Sequence, residues 1–254
     1  MQLKLKGWKY EGRKIADKLQ QQMLSIVEIL NDPSRVGSKN WSELQKYIAG
    51  ELGITPGQIR TIKRMMEELD IIKKGVLSTD SISNTSEIYT DNGKTFVELM
   101  AIEKLMKQRW NTEDQETVRE IRAIYCLHYQ KVLAAYTYKQ NGRALHPLRA
   151  TLKAVKKFGY LDFWEWYLLN TIIQTDEDGE EEARLEKIIL DYRAGKINSQ
   201  AMDITENRLS HVYVLGNYKY AGLICVKGNN QRLKVTLNHD YDEIIDEILR
   251  KVPV

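Results

Sequence analysis

Between Thr55 and Leu69 the chain carries Gln58, Arg60, Thr61, Lys63 and Arg64, interleaved with Ile59, Ile62, Met66 and Leu69. The apolar residues recur at three, four and three, so on a helix they share one stripe and leave the polar set outward. Those outward types suit the major groove of duplex DNA. Arginine donates two bonds to guanine, glutamine pairs with adenine, and threonine meets a thymine methyl or a phosphate. An ordinary solvated helix face is the plainer reading of the same pattern.

A second polar set is expected outward on a helix over residues 203–220: Asn207, Arg208, Ser210, His211 and Asn217, with Leu209, Val212 and Gly216 inward. His211 reads as a surface or capping histidine, because no Ser, Cys or carboxylate is spaced to form a catalytic constellation with it. Lys4, Lys6, Trp8, Lys9, Arg13 and Lys14 lie in an N-terminal segment without apolar periodicity after Leu5. Such a segment is expected to be extended, mobile without a partner, and ordered on binding a groove. Arg149, Lys153, Lys156 and Lys157 form a basic stripe suited to phosphates, which position a duplex without reading it.

Charge is segregated along the chain. Residues 1–75 carry 14 Lys and Arg against 9 Asp and Glu, and residues 101–160 carry 12 against 5, whereas residues 161–206 carry 4 against 12. That distribution permits a polyanionic partner although the net charge is only +3. The acidic loop Asp176, Glu177, Asp178, Glu180, Glu181 and Glu182 lacks the ligand spacing of a calcium loop and reads as a solvated turn facing away from DNA. Phe163, Trp164, Trp166 and Tyr167 sit in an apolar helix and read as core rather than as a base-stacking platform. Cys126 and Cys225 have no cysteine or histidine at metal-ligand spacing and read as buried reduced thiols. No apolar run reaches the roughly 18 residues of a membrane span and no signal-peptide core begins the chain, so a cytoplasmic location is expected.

The elements that must hold these residues follow from periodicity and caps. "GRKIADKLQQQMLSIVEIL" reads as a helix broken by "NDPSRVGSKN". "WSELQKYIAGELG" follows, with Ser42 as its cap and Gly53 as its stop, and then a helix capped by Thr55 with Pro56 at its first position. A short connection containing Gly53 is the spacing of a helix-turn-helix. "IIKKGVL" and "SEIYT" read as two strands around a polar loop, so the order is helix, helix, helix, hairpin, that of a winged helix. The second half repeats this architecture, without repeated identities, through helices over 145–161, 162–173, 183–197 and 203–222. A hairpin over 223–237 and a helix over 240–249 then close it. The expected fold is mainly α with short β-hairpin wings. It has an arm and first winged-helix unit over 1–112, a helical linker over 113–143 and a second winged-helix unit over 144–254.

Three stretches are similar to the recognition region of type IIS restriction endonucleases of the FokI and AlwI kind, nicking relatives included. "LKLKGWKYEGRK" resembles their N-terminal arm, "IYTDNGKTFVELMAIEKLMKQRWN" a wing strand turning into a helix with a Lys-Gln-basic-Trp patch, and "NYKYAGLICVKGNNQRLKVTLNHDYDEIIDEIL" their closing wing. The resemblance implies a module that recognises a short asymmetric duplex site and is joined in the family to a separate magnesium-dependent nuclease. That nuclease uses a carboxylate-x-Lys unit to hold metal and activate water. No Asp or Glu of this sequence is followed two residues later by Lys. The expectation is therefore a non-catalytic, monomeric recognition module without a cofactor of its own, with duplex DNA and a nuclease domain or subunit as partners. A double winged-helix regulator or replication initiator, and a protein-interaction winged helix, are the alternatives. A sustained heptad seam for dimerisation is absent from the sequence, and the basic excess on residues 55–69 argues against a protein-binding face.

Overall fold

The computed structural model of the chain describes residues 2–9, 13–78, 87–109, 112–140, 143–176 and 178–250. These are mainly helical, with small sheets. None of the helices is long and apolar enough to cross a membrane. The chain divides into a continuous unit, Glu11–Val132, and a split unit made of Met1–Tyr10 with Leu133–Val254. The first ten residues thus cluster with the C-terminal half, not with the helices that follow them in sequence.

The continuous unit contains α1 (Asp17–Leu30), α2 (Pro33–Val36), α3 (Trp41–Glu51), α4 (Pro56–Glu68), α5 (Asp91–Arg109) and most of α6 (Thr112–Ala135). Leu19, Met23, Ile26, Val27 and Leu30 form the buried stripe of α1. The cap of α3 is Asn40, two residues before the Ser42 expected from the sequence: its side chain accepts from the Glu43 nitrogen while Glu43 accepts from the Asn40 nitrogen. Thr55 and Gln58 make the same reciprocal box on α4, with Pro56 at the first position. Gly53, at φ +61°, turns the chain between α3 and α4. Gln45 of α3 donates to the Pro56 carbonyl and fixes the crossing.

After α4 the two expected strands reduce to one antiparallel bridge, Ile72 with Tyr89. Lys73 N donates to Ile88 O at 2.8 Å and Thr90 N to Ile71 O at 3.2 Å. Beyond Lys73 a turn at Gly75, φ +77°, leads the chain away from the ladder. Gly75 N is held by Glu67 Oε1 at 2.9 Å. Residues 79–86, most of the expected loop, lie outside the described residues. α5 starts in the Thr-Asp-Asn-Gly turn, where Thr90 Oγ1 accepts from Gly93 N at 2.9 Å and donates to the Asp70 carbonyl. α6, read as a linker, buries Val118, Ile121, Tyr125 and Tyr129, and the last two rings meet Phe96 of α5 at 4.7 and 5.6 Å.

The split unit begins with β1 (Leu3–Lys6) and resumes with β2 (Tyr138–Gln140), β3 (Arg143–Leu145), α7 (Pro147–Phe158), β4 (Leu161–Asp162), α8 (Phe163–Ile172) and α9 (Gly179–Arg193). β5 (Met202–Glu206), α10 (Ser210–Tyr220), β6 (Ile224–Lys227), β7 (Lys234–Leu237) and α11 (Asp242–Arg250) complete it. β2 and β3 form an antiparallel hairpin across the expected boundary between linker and second unit, where the sequence predicts no strands. β4, β7 and β6 form an antiparallel sheet in that order. α8, expected from Asp162, begins one residue later with Asp162 as its cap, and Phe163, Trp166 and Tyr167 are core while Trp164 is half-buried. Glu165, 1% exposed, receives Arg193 from the end of α9 through two bonds of 2.5 and 3.1 Å, and Arg193 also donates to the Phe158 and Tyr160 carbonyls. That arrangement satisfies a buried carboxylate fully.

The single helix expected over 203–220 is a strand followed by a shorter helix. Residues 202–206 form β5, parallel to β1 with Leu3 opposite Met202 and Leu5 opposite Ile204. The β-branched Ile204 and Thr205 suit that ladder once a partner strand exists. Asn207, at φ +50°, then makes the turn into α10.

Candidate nucleic-acid interface

α4 places its polar set as the apolar stripe requires. Ile59, Ile62, Met65 and Met66 are 0% exposed, and Arg60 and Arg64 are exposed on the opposite side. Arg60 has no hydrogen bond or ion pair among the described residues. Arg64 pairs with Glu68 at 3.2 Å, a surface pair one turn away that is worth at most about 1 kcal/mol and is easily exchanged for a phosphate or base. Lys63 is held closer in, 2.9 Å from Glu67, with its side chain only 18% exposed. Thr61 Oγ1 donates to the Gly57 carbonyl at 3.1 Å. Gln58 Oε1 is engaged by Thr55 N at 2.9 Å, so a bidentate bond to adenine would cost the helix its cap. Lys73 and Lys74, exposed at the foot of the ladder, join this face. Their position after the helix, beside a Gly turn, was the signal that could have marked them.

The expected N-terminal arm is a fixed part of the split unit. Leu5 and Trp8 are 1% and 3% exposed. Trp8 N donates to Asn170 Oδ1 at 2.7 Å, and its ring meets Trp166 edge-on at 5.4 Å. A side chain at Gly7 would put a Cβ 2.4 Å from Ser210 Cβ, so glycine is required there by close packing. Lys4 and Lys9 are exposed and Lys6 is half-buried, while Lys6 N donates to Thr171 Oγ1 at 2.9 Å. Arg13 and Lys14 belong to the continuous unit, and Arg13 donates to Gln22 of α1 at 3.0 Å. The basic residues read as one arm are therefore divided between two units.

α10 is turned the opposite way from the sequence expectation. Ser210, His211 and Asn217 are buried, at 4%, 8% and 0%, whereas Leu209 and Val212 are 56% and 40% exposed. Partners explain the inversion. Ser210 Oγ donates to Asn170 Oδ1 at 3.3 Å, and His211 Nδ1 lies 2.8 Å from the Tyr167 hydroxyl, which donates to the Arg208 carbonyl at 2.7 Å. Burial pushes the Tyr167 phenol up to about 12 and holds the His211 imidazole below its ordinary value. Asn207 Nδ2 donates to the Gly7 carbonyl at 2.9 Å, and Arg208 is exposed with its Nε on the Ile204 carbonyl.

The three lysines of the α7 stripe are exposed and Arg149 is half-buried, and all four are paired. Lys153 bonds Glu182, Lys157 bonds Glu186 at 2.7 Å, Lys156 bonds Asp246 at 2.5 Å, and Arg149 donates to the Leu249 carbonyl at 3.2 Å. The Lys156 ammonium holds the Asp246 carboxyl below the usual carboxylate range. The acidic segment is more than a solvated turn. Asp176 accepts from His146 N at 2.9 Å and lies 2.6 Å from His146 Nδ1, and Glu181 accepts from Gln174 N at 2.7 Å. Glu177 lies outside the described residues. Cys126 and Cys225 are not in a disulfide, and both are half-buried rather than buried. No protein-family model matches the chain, and no curated protein matches it in sequence.

Proposed function

We propose that the chain is a sequence-specific duplex-DNA-binding module, the recognition portion of a type II restriction or nicking endonuclease whose nuclease is a separate domain or subunit. The observation that carries this reading is α4: a capped helix set by a glycine turn against α3, with a fully buried stripe and Arg60 and Arg64 outward. Exposed arginines on a rigid helix are the side chains that pair with guanine O6 and N7. Two features support winged-helix architecture for both units. The antiparallel bridge follows α4 in one, and the helix, strand, helix, helix, hairpin order of α7, β4, α8, α10 and β6–β7 appears in the other, with α9 inserted. The test is selection of duplexes from a random pool by the full chain, with affinity measured across salt concentrations. An enriched motif is expected, with affinity falling about 10³–10⁵-fold between 50 and 200 mM salt for six to ten phosphate contacts. A pool that stays random after repeated selection overturns the reading.

A further inference from the structure

We infer that the exposed face of α10 reads thymine, its Leu209 and Val212 side chains packing on the C5-methyl groups in the major groove; this rests on the DNA-binding reading above. Leu209 at the start of α10, Val212, Tyr213 and Gly216 fall on one side of the helix at spacings of three, one and three; Leu209 and Val212 are exposed there, and Tyr213 and Gly216 are half-buried. Polar Ser210, His211 and Asn217 occupy the core side. A helix that buries its amide, hydroxyl and imidazole while showing leucine and valine to water has its apolar surface where a ligand would meet it. The sequence of α10 has no carboxylate, and exposed Arg208 and Lys219 stand at its two ends.

A few residues make too small a footprint for a stable protein interface, which takes about 20–30 residues a side. They fit a helix in a groove, where the thymine methyl is the one apolar group on the base edges. Gly216 lets the middle of the helix approach closely, and the terminal cations suit phosphates on either side. Guanine would then be read from α4 by arginine and thymine from α10 by methyl contact, so the recognised site contains both.

The experiment uses the full chain and the duplex that it enriches. Each thymine is replaced in turn by deoxyuridine, which removes the methyl and keeps every edge hydrogen bond. At one or more positions the replacement is expected to weaken binding about fourfold, the worth of one buried methyl group. That penalty should vanish in the Leu209→Ala/Val212→Ala double variant, whose exposed positions leave folding intact. Unchanged binding of fully uracil-substituted duplex by the wild type overturns the inference, as does a penalty that survives in the double variant. Self-association of the wild type in sedimentation, lost in the double variant, overturns it in favour of a second copy of the chain. If no duplex is enriched at all, the DNA-binding reading itself fails, a result distinct from these.

Discussion

Oδ1 of Asn170 accepts from the backbone nitrogen of Trp8 at 2.7 Å, and Ser210 Oγ also donates to it, at 3.3 Å. One carboxamide thus joins the segment after β1, α8 and α10. Its own Nδ2 donates to the Trp166 carbonyl at 2.6 Å, so the group is satisfied on both sides.

Removing the Trp8 ring packed beside that junction, or its Asn170 acceptor, is expected to destabilise the split unit. Trp8→Ala should cost about 3–5 kcal/mol from the lost burial, and Asn170→Ala about 1–3 kcal/mol from donors left without an acceptor. Urea unfolding of the full chain measures both. In the same protein, free of DNA, the amides of Leu3–Lys6 should be protected from hydrogen exchange; rapid exchange there would restore the mobile arm.

Gly93 sits where a Cβ would lie 1.8 Å from the Ile71 carbonyl oxygen. Alanine is the better helix former by about 1 kcal/mol, yet Gly93→Ala should lower the melting temperature of the continuous unit because the backbone of Ile71 must move. A rise in melting temperature would show that the turn before α5 yields easily.

Burial depresses the His211 imidazole from its ordinary 6.5. The folded state therefore favours the neutral ring. Its contribution is complete above about pH 6.5, fades as the unfolded chain takes up the proton below that, and is gone once the folded value is passed. Thermal melts from pH 7.5 to 5 should fall more steeply for the wild type than for His211→Gln. Parallel curves would mean that the ring titrates normally.

Reading and holding should separate in the enriched duplex. Arg60→Ala is expected to cost about 1–3 kcal/mol and to relax discrimination at one base pair. Lys156→Ala should weaken selected and random duplexes alike and lower the salt slope by about one. Its exposed pair with Asp246 contributes little to stability, so the melting temperature should barely change. A Lys156→Ala chain with an unaltered salt slope would place α7 outside the interface.

α4 was legible in the sequence because its determinants are local: Thr55, Pro56 and Gln58 start it, and Ile59, Ile62 and Met66 orient it within three turns. α10 was not, because its orientation depends on distant groups. Ser210 answers to Asn170, 40 residues earlier, and His211 to Tyr167, 44 residues earlier. With polar residues buried and leucine and valine exposed, the helix has no clear amphipathic pattern to read. β5 looked like the first turns of a helix because its partner strand is 199 residues away at Leu3 and Met202. The α7 stripe looked available for phosphates because its carboxylates come from α9 and α11, 29 and 90 residues further on.

Thr205 Oγ1 donates to the Leu5 carbonyl across 200 residues, and that distance sets an order of events in the cell. Translation at about 5–20 residues per second leaves β1 without its mate for roughly ten to forty seconds. Over that interval its apolar Leu3 and Leu5 and its unpaired edge are open to chaperones and to other nascent strands. The continuous unit, by contrast, has all its residues synthesised before α7 is made. Lesions in β1 should therefore lower the yield of native chain first, through misassembly at birth, even where the finished Glu11–Val132 unit melts as before.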